Sequence, residues 1–429
     1  MIGRPRSLAI ALACAALVSA RPAACDEYYS DHGFSIDLPE GFAYLEGDGS
    51  TKFSFGSPDG AVRVDMIVYP PARFSDARSG AADTMRRLSG RGDFQSFRYE
   101  GKDAAVGEIS FGDGAYRGRA LFVDGASAPR STADAAAPER TYDLAVLAYA
   151  PAAAYGAYAD VVGSAMDGFS LRVSRRAAPG PLGSASRAGL GQAAPRTAAI
   201  AFGEATVRVP WDPREAAISQ ALVEREYRVL TAYAEAPELL DAAIARFYRM
   251  AFRDAAPSLD RLALELSAAW ETGAWAGERA SSIRAGRPAA TGAKVEKKAA
   301  GPRFGAAASP GPYAEALLAW VQGFNYERDP AGSDVVNPIS AAFEGRGDCD
   351  SRALVMATLL QKEGVEAILM ISLKYEHALA AVDAPGPGAR FPFDGKQWLV
   401  AETTAKVGIG RIDASQADPS AWIGVRLPR

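Results

Sequence analysis

The sequence predicts an α+β protein in which two folded units, each mixing strands with helices, flank a helical middle segment. Three observations carry this. Several runs between residues 34 and 146 alternate at period two, the mark of strands with one buried face. Residues 212–276 instead repeat apolar side chains at three- and four-residue steps, the stripe of amphipathic helices. Beyond residue 311, a glycine-bounded apolar helix is followed by apolar strand-like runs. At 429 residues the chain is long enough for two or three separate cores.

The elements follow in order. Arg4 and Arg6 precede an apolar run, Leu8 to Ala20, with the length and flanks of a secretory signal, so residues 1–24 are expected to be a signal peptide. Val18-Ser19-Ala20 fits ordinary cleavage. Ala23-Ala24-Cys25 resembles a lipobox that would leave a lipid on Cys25, although Pro22 stands where such motifs carry Leu or Val. No later stretch approaches the roughly 18 apolar residues of a membrane span. The expectation is an exported protein, periplasmic or at the cell surface, touching a membrane only through a lipid on Cys25. A net charge of −4 shows no basic excess and argues against nucleic acid as a partner.

Residues 27–172 read as one α/β unit. Phe34, Ile36 and Leu38 alternate with polar residues, as do Val62, Val64, Met66 and Val68, and then Tyr142, Leu144 and Val146. A helix follows Pro151, with Tyr155, Tyr158, Val162, Met166 and Phe169 on one face. The opening GFSIDLPEGF, several antiparallel strands, a late strand and a helix ending near DGFSL resemble the PsbP-like sandwich of many exported bacterial proteins. That resemblance implies a binding or scaffolding unit. His32 is expected on an exposed loop. Residues 127–139 read as a long hairpin loop, and 173–198 and 277–310 as linkers rich in Ala, Gly, Pro and Arg. Residues 199–276 read as a helical segment packing on the C-terminal unit. Asp212-Pro213 supplies a cap and a first-turn proline, and the stripe includes Leu222, Leu239, Ile244, Phe247, Tyr248, Leu262 and Leu266.

The chemistry is expected in 311–429. Cys14 leaves with the signal and Cys25 lies at its end, so Cys349 is the lone cysteine of the folded body. In an oxidising compartment structural cysteines come in pairs, and a solitary thiol is either apolar filler or a nucleophile. Gly345-Arg346-Gly347-Asp348-Cys349-Asp350-Ser351 runs into an apolar helix, which places the sulfur at the helix N-terminus. Unpaired N–H groups there favour a thiolate and can hold an oxyanion. Asp350 is expected to cap this helix. A thiol nucleophile needs a base. His377, one of two histidines in the chain and 28 residues beyond Cys349, opens a strand. Glu402, in the run Trp398 to Thr404, can orient its imidazole.

This constellation resembles the transglutaminase-like superfamily, and GDCDSRA resembles its bacterial cysteine peptidases. The resemblance covers roughly 311–410. It implies a papain-like α+β domain with Cys349 as nucleophile, His377 as general base and Glu402 as orienting acid, using no cofactor and no metal. Two positions depart from the family: Glu402 stands where aspartate is commoner, and Leu379 stands where an aromatic is usual. Asn325, Tyr326 and Asn337 are unranked candidates for an oxyanion donor, and a calcium site is conceivable near Asp329, Asp334 and Asp348. The expected activity is amide hydrolysis through a thioester, on exported proteins or cell-wall peptides. Cross-linking to an amine uses the same three residues. The rival is a non-catalytic binding protein whose N-terminal unit carries the function.

Overall fold

The computed structural model describes residues 27–125, 142–192, 195–276, 311–328 and 332–429. The expected signal and Cys25, the hairpin loop 127–139, the linker 277–310 and Asp329 lie outside these residues. The fold is mixed α+β with antiparallel sheets. Among the described residues no helix is long and apolar enough to cross a membrane.

The first half is built from β1 (Tyr28–Tyr29), β2 (Ser35–Ile36), β3 (Ala43–Gly47), β4 (Lys52–Gly56), β5 (Arg63–Tyr69), α1 (Ala77–Arg87), β6 (Arg91–Tyr99), β7 (Lys102–Phe111), β8 (Tyr116–Asp124), β9 (Asp143–Pro151), α2 (Tyr155–Asp167) and β10 (Phe169–Ser170). Seven strands form one antiparallel sheet in the order β3-β4-β5-β9-β8-β7-β6. Its central strands are covered on both faces, so alternate residues enter different cores. Leu121, Val123, Leu144 and Val146 join Phe34, Ile36 and Met166 on one side. Phe122, Ala145 and Leu147 meet Ala81 and Met85 of α1 on the other. His32 is half-buried rather than exposed, its ring against Tyr142 at 5.3 Å between centroids.

The expected linker 173–198 is corrected over most of its length. A short turn (Val173–Arg175) leads to α3 (Pro181–Ala188), with proline in its first turn. The Asp167 carboxylate accepts from the Leu182 amide at 2.7 Å, the Gln95 side chain donates to the Ala185 carbonyl at 2.8 Å, and Arg187 pairs with Asp254 at 2.6 Å. From Arg196 the chain forms a hairpin, β11 (Arg196–Phe202) and β12 (Ala205–Trp211), turning at Gly203 with φ +59°. The helices α4 (Pro213–Thr231), α5 (Pro237–Ala255) and α6 (Asp260–Glu271) follow.

The last third contains α7 (Gly311–Val321), α8 (Pro338–Glu344), α9 (Cys349–Lys362), β13 (Ala367–Ser372), β14 (His377–Val382), β15 (Arg390–Phe393), β16 (Lys396–Ala401) and β17 (Ile423–Arg426). Its strands form an antiparallel sheet ordered β15-β16-β14-β13-β17, and α9 packs across β13 and β14. Leu369, Ile371, Ala378 and Ala380 face α9 in a core shared with Phe247, Leu262 and Leu266 of the middle helices. Met370, Leu379, Trp398 and Trp422 fill the reverse face. The middle helices and the C-terminal sheet therefore bury one continuous apolar interior.

Both halves meet along α5. Arg246 donates to the Asp37 and Ser164 carbonyls at 2.9 and 3.1 Å, and lies 3.2 Å from Glu226. Arg249 pairs with Asp37 at 2.9 Å, and Arg253 donates to the Gly168 and Phe169 carbonyls. On α4, Arg225 bridges Asp167 at 2.8 Å and Glu226 at 2.6 Å. These guanidinium groups are largely buried and every one has acceptors, as buried charge requires.

Candidate active site

The site is assembled where α8 ends and α9 begins. Gly345, at φ +64°, closes α8, its N–H donating to the Ala341 carbonyl. Gly347, at φ +147°, makes the turn into α9, where a Cβ would lie 2.6 Å from that of Ser351. Asp348, not Asp350, is the N-cap: its carboxylate accepts from the Ser351 amide at 2.9 Å and the Ser351 hydroxyl at 2.7 Å. The cap sits one residue earlier than the start of the helix, so the acid before Cys349 meets the free N–H groups and the acid after it turns sideways.

Cys349 is thus the first residue of α9, 6% exposed. Its thiol donates to Asp350 Oδ2 at 3.4 Å, while the Ala378 amide lies close enough to the sulfur to favour its charged form. Asp350 also accepts the hydroxyl of Tyr248, which reaches across from α5. This corrects the expectation of a thiol activated simply by its helix end. Burial, followed by the Asp350 and Asp348 carboxylates, pushes the Cys349 thiol well above its ordinary value. Burial, then Asp350, likewise raises the Tyr248 hydroxyl.

His377 opens β14, directly before Ala378 and after Glu376 at φ +48°. Its Nε2 lies 2.7 Å from Glu402 Oε2. Glu402, just beyond β16, accepts with its other oxygen from the Thr404 amide at 2.8 Å and the Thr404 hydroxyl at 2.5 Å. Burial opposes ionisation of Glu402, but the bonds from His377 and Thr404 prevail and hold its carboxyl at about 2. Gln322, just past the end of α7, fixes the backbone here, its amide donating to the Glu402 and Val407 carbonyls at 2.7 and 2.9 Å. His377 and Glu402 border a cavity of about 720 Å³, also lined by Thr404, Val407, Arg411 and Gln416.

Of the oxyanion candidates, Asn337 caps α8 and bonds Gln220, so its side chain is committed elsewhere. Asn325 joins the Gly345–Gly347 turn through its backbone, and Tyr326 lies exposed over the Arg352 guanidinium at 5.6 Å. Buried Arg352 clamps this wall by donating to the Gly347 and Phe324 carbonyls. Asp334 pairs with Arg328 at 3.5 Å and Asp348 is spent on the cap. The Asp348, Cys349 and Asp350 ligand atoms lie within 4.8 Å of one another, but the cap and Tyr248 occupy both carboxylates.

Leu379 does not line the cavity. It belongs to the reverse-face core, where Trp422 also packs, its ring 6.1 Å from that of His377. Pattern reading missed Tyr248, Gln322 and Arg352 as site residues. Arg352 was open to detection as a charged residue embedded in an apolar helix, and Gln322 as a polar residue closing one; Tyr248 fits an ordinary apolar stripe.

No family model matches the chain, and no curated protein matches it. Among the solved structures that resemble it is a solution structure of cyanobacterial PsbP (CyanoP) from Synechocystis sp. PCC 6803, at 10% identity, over 34% of this chain and 90% of that one, with a TM-score of 0.26. A likeness that slight carries no argument about fold or function.

Proposed function

We propose that the chain is an exported thiol hydrolase of the transglutaminase-like type, cleaving peptide or isopeptide bonds through Cys349, His377 and Glu402. On this reading residues 311–429 are a papain-like domain and 27–172 a PsbP-like sandwich. The observation that supports it most is the 2.7 Å His377–Glu402 pair, bordering a cavity, on the strand whose next amide meets the Cys349 sulfur.

The chemistry follows from these contacts. Because Glu402 takes Nε2, Nδ1 is the imidazole nitrogen left to accept the thiol proton. The thiolate attacks the amide carbon, and the carbonyl oxygen gains charge that the first amides of α9 can stabilise. As the C–N bond breaks, His377 returns its proton to the leaving amine, leaving a thioester. Water then attacks the same carbon, His377 takes its proton, the C–S bond breaks and the sulfur is reprotonated. Glu402 orients the imidazole and stabilises its charged form. Substrates are expected among exported proteins or cell-wall peptides, and an amine in place of water would give a cross-link.

Amine release from cell-wall stem peptides and isopeptide-linked peptides tests this. Cys349→Ser is expected to abolish turnover, and His377→Ala to lower it by about 10²–10⁴. Hydrolysis that survives Cys349→Ser ends the reading and returns the function to binding by the N-terminal unit.

A further inference from the structure

Cys349 is surrounded by an unusual set of groups for a nucleophile. On its own helix are the Asp348 and Asp350 carboxylates and, one turn on, the buried Arg352 guanidinium. From β14 comes the Ala378 amide, one residue after His377, whose ring is paired with Glu402. From α5 comes Tyr248. The sulfur lies 3.4 Å from Asp350 Oδ2, placed to donate to it. Asp350 in turn is not needed as a cap, because Asp348 does that. One Asp350 oxygen takes the thiol and the other takes the Tyr248 hydroxyl. Tyr248 is buried, and its helix is pinned by Arg246, Arg249 and Arg253, so it is a fixed donor rather than a mobile one.

We infer that Asp350 and Tyr248 form a latch on the nucleophile: Asp350 keeps Cys349 in its protonated, hydrogen-bonded form, and Tyr248 holds Asp350 in position to do so. The physical basis is double. A carboxylate accepting S–H favours the neutral thiol, since that bond is lost on ionisation. Beside a thiolate, the same carboxylate is a like charge in a poorly hydrated site. Tyr248 satisfies the second oxygen and anchors a half-buried side chain that could otherwise turn toward solvent. Asp350 and Tyr248 are positioning residues, acting through the sulfur and not on a substrate. The inference concerns the same sulfur as the hydrolase reading but addresses only its protonation, so it stands or falls independently of turnover.

The test is the pH dependence of iodoacetamide alkylation at Cys349 in the full chain, followed by mass spectrometry of its peptide. Asp350→Asn is expected to lower the titration midpoint by at least one pH unit, giving about tenfold more thiolate at a pH below both midpoints. Tyr248→Phe is expected to lower it less. The double variant is expected to match Asp350→Asn alone, because Tyr248 acts through Asp350. Loosening of the fold would hydrate the thiol and lower the midpoint as well, so thermal unfolding is read on the same variants: a midpoint that falls with stability kept supports the latch, and one that falls only in step with lost stability overturns it. An unchanged or raised midpoint in Asp350→Asn overturns the latch. If Asp350→Asn does not fold, Tyr248→Phe decides by the same midpoint. Thiol hydrolysis can be present or absent without altering these outcomes.

Discussion

Asp348 closes the first turn of α9, yet it is buried and faces Asp350, and burial followed by that second carboxylate raises its pKa to about 6. A folded-state value above the ordinary carboxylate range means that folding favours the protonated form. The associated stability is present below about pH 4 and is lost as pH rises through 6. Asn keeps an acceptor for the Ser351 amide and removes the charge, so Asp348→Asn is expected to gain roughly 1–3 kcal/mol over the parent between pH 4 and pH 8. Thermal unfolding at the two pH values measures this, and an equal difference at both would contradict the electrostatic account. The same residue shows where sequence reading reaches and stops. Cys349, His377 and Glu402 stand out because their residue types are scarce or their segment is distinctive. Two aspartates flank the cysteine, however, and which of them caps depends on where the first turn begins. Tyr248 lies 102 positions before Asp350, and no local pattern links the two.

Among the elements, the strongly periodic ones were legible: β5, β9, α4, α5 and α9 fall on runs whose apolar spacing demands them. The missed ones, α3 and the β11–β12 hairpin, have a common cause. The apolar residues of α3 are few, and its partners Asp167, Gln95 and Asp254 come from distant segments. Alternation is present in β11 and β12, where Ile200, Phe202, Val207 and Val209 are buried, but alanines on both sides obscure it. The turn into α9 is the most constrained joint between elements. At Gly347 an alanine meets both an unfavourable φ and the buried Ser351 side chain. Gly347→Ala is expected to cost roughly 1–3 kcal/mol from the backbone alone, read as a lower urea midpoint. Cys349 labelling in that variant should become faster and its midpoint should fall, because a loosened helix start hydrates the buried thiol.

Across the whole molecule, the two halves are joined by α4 and α5, not merely by a tether. A fragment beginning at residue 199 would retain Arg225, Arg246, Arg249 and Arg253 but lose Asp37, Ser164, Asp167 and the Gly168 and Phe169 carbonyls. Leaving a buried charge without its partner costs about 3–5 kcal/mol. Residues 199–429 alone are therefore expected to aggregate or unfold readily, whereas the full chain melts in one calorimetric transition with equal van't Hoff and calorimetric enthalpies. Two separate endotherms would show the halves to be independent. The arginines of α5 also set a rule for descent. A C-terminal half grafted onto a different sandwich would carry several guanidinium groups into a surface with no carbonyls waiting for them, and no single substitution repairs that. The two halves must be inherited together, changing in concert along this one helix.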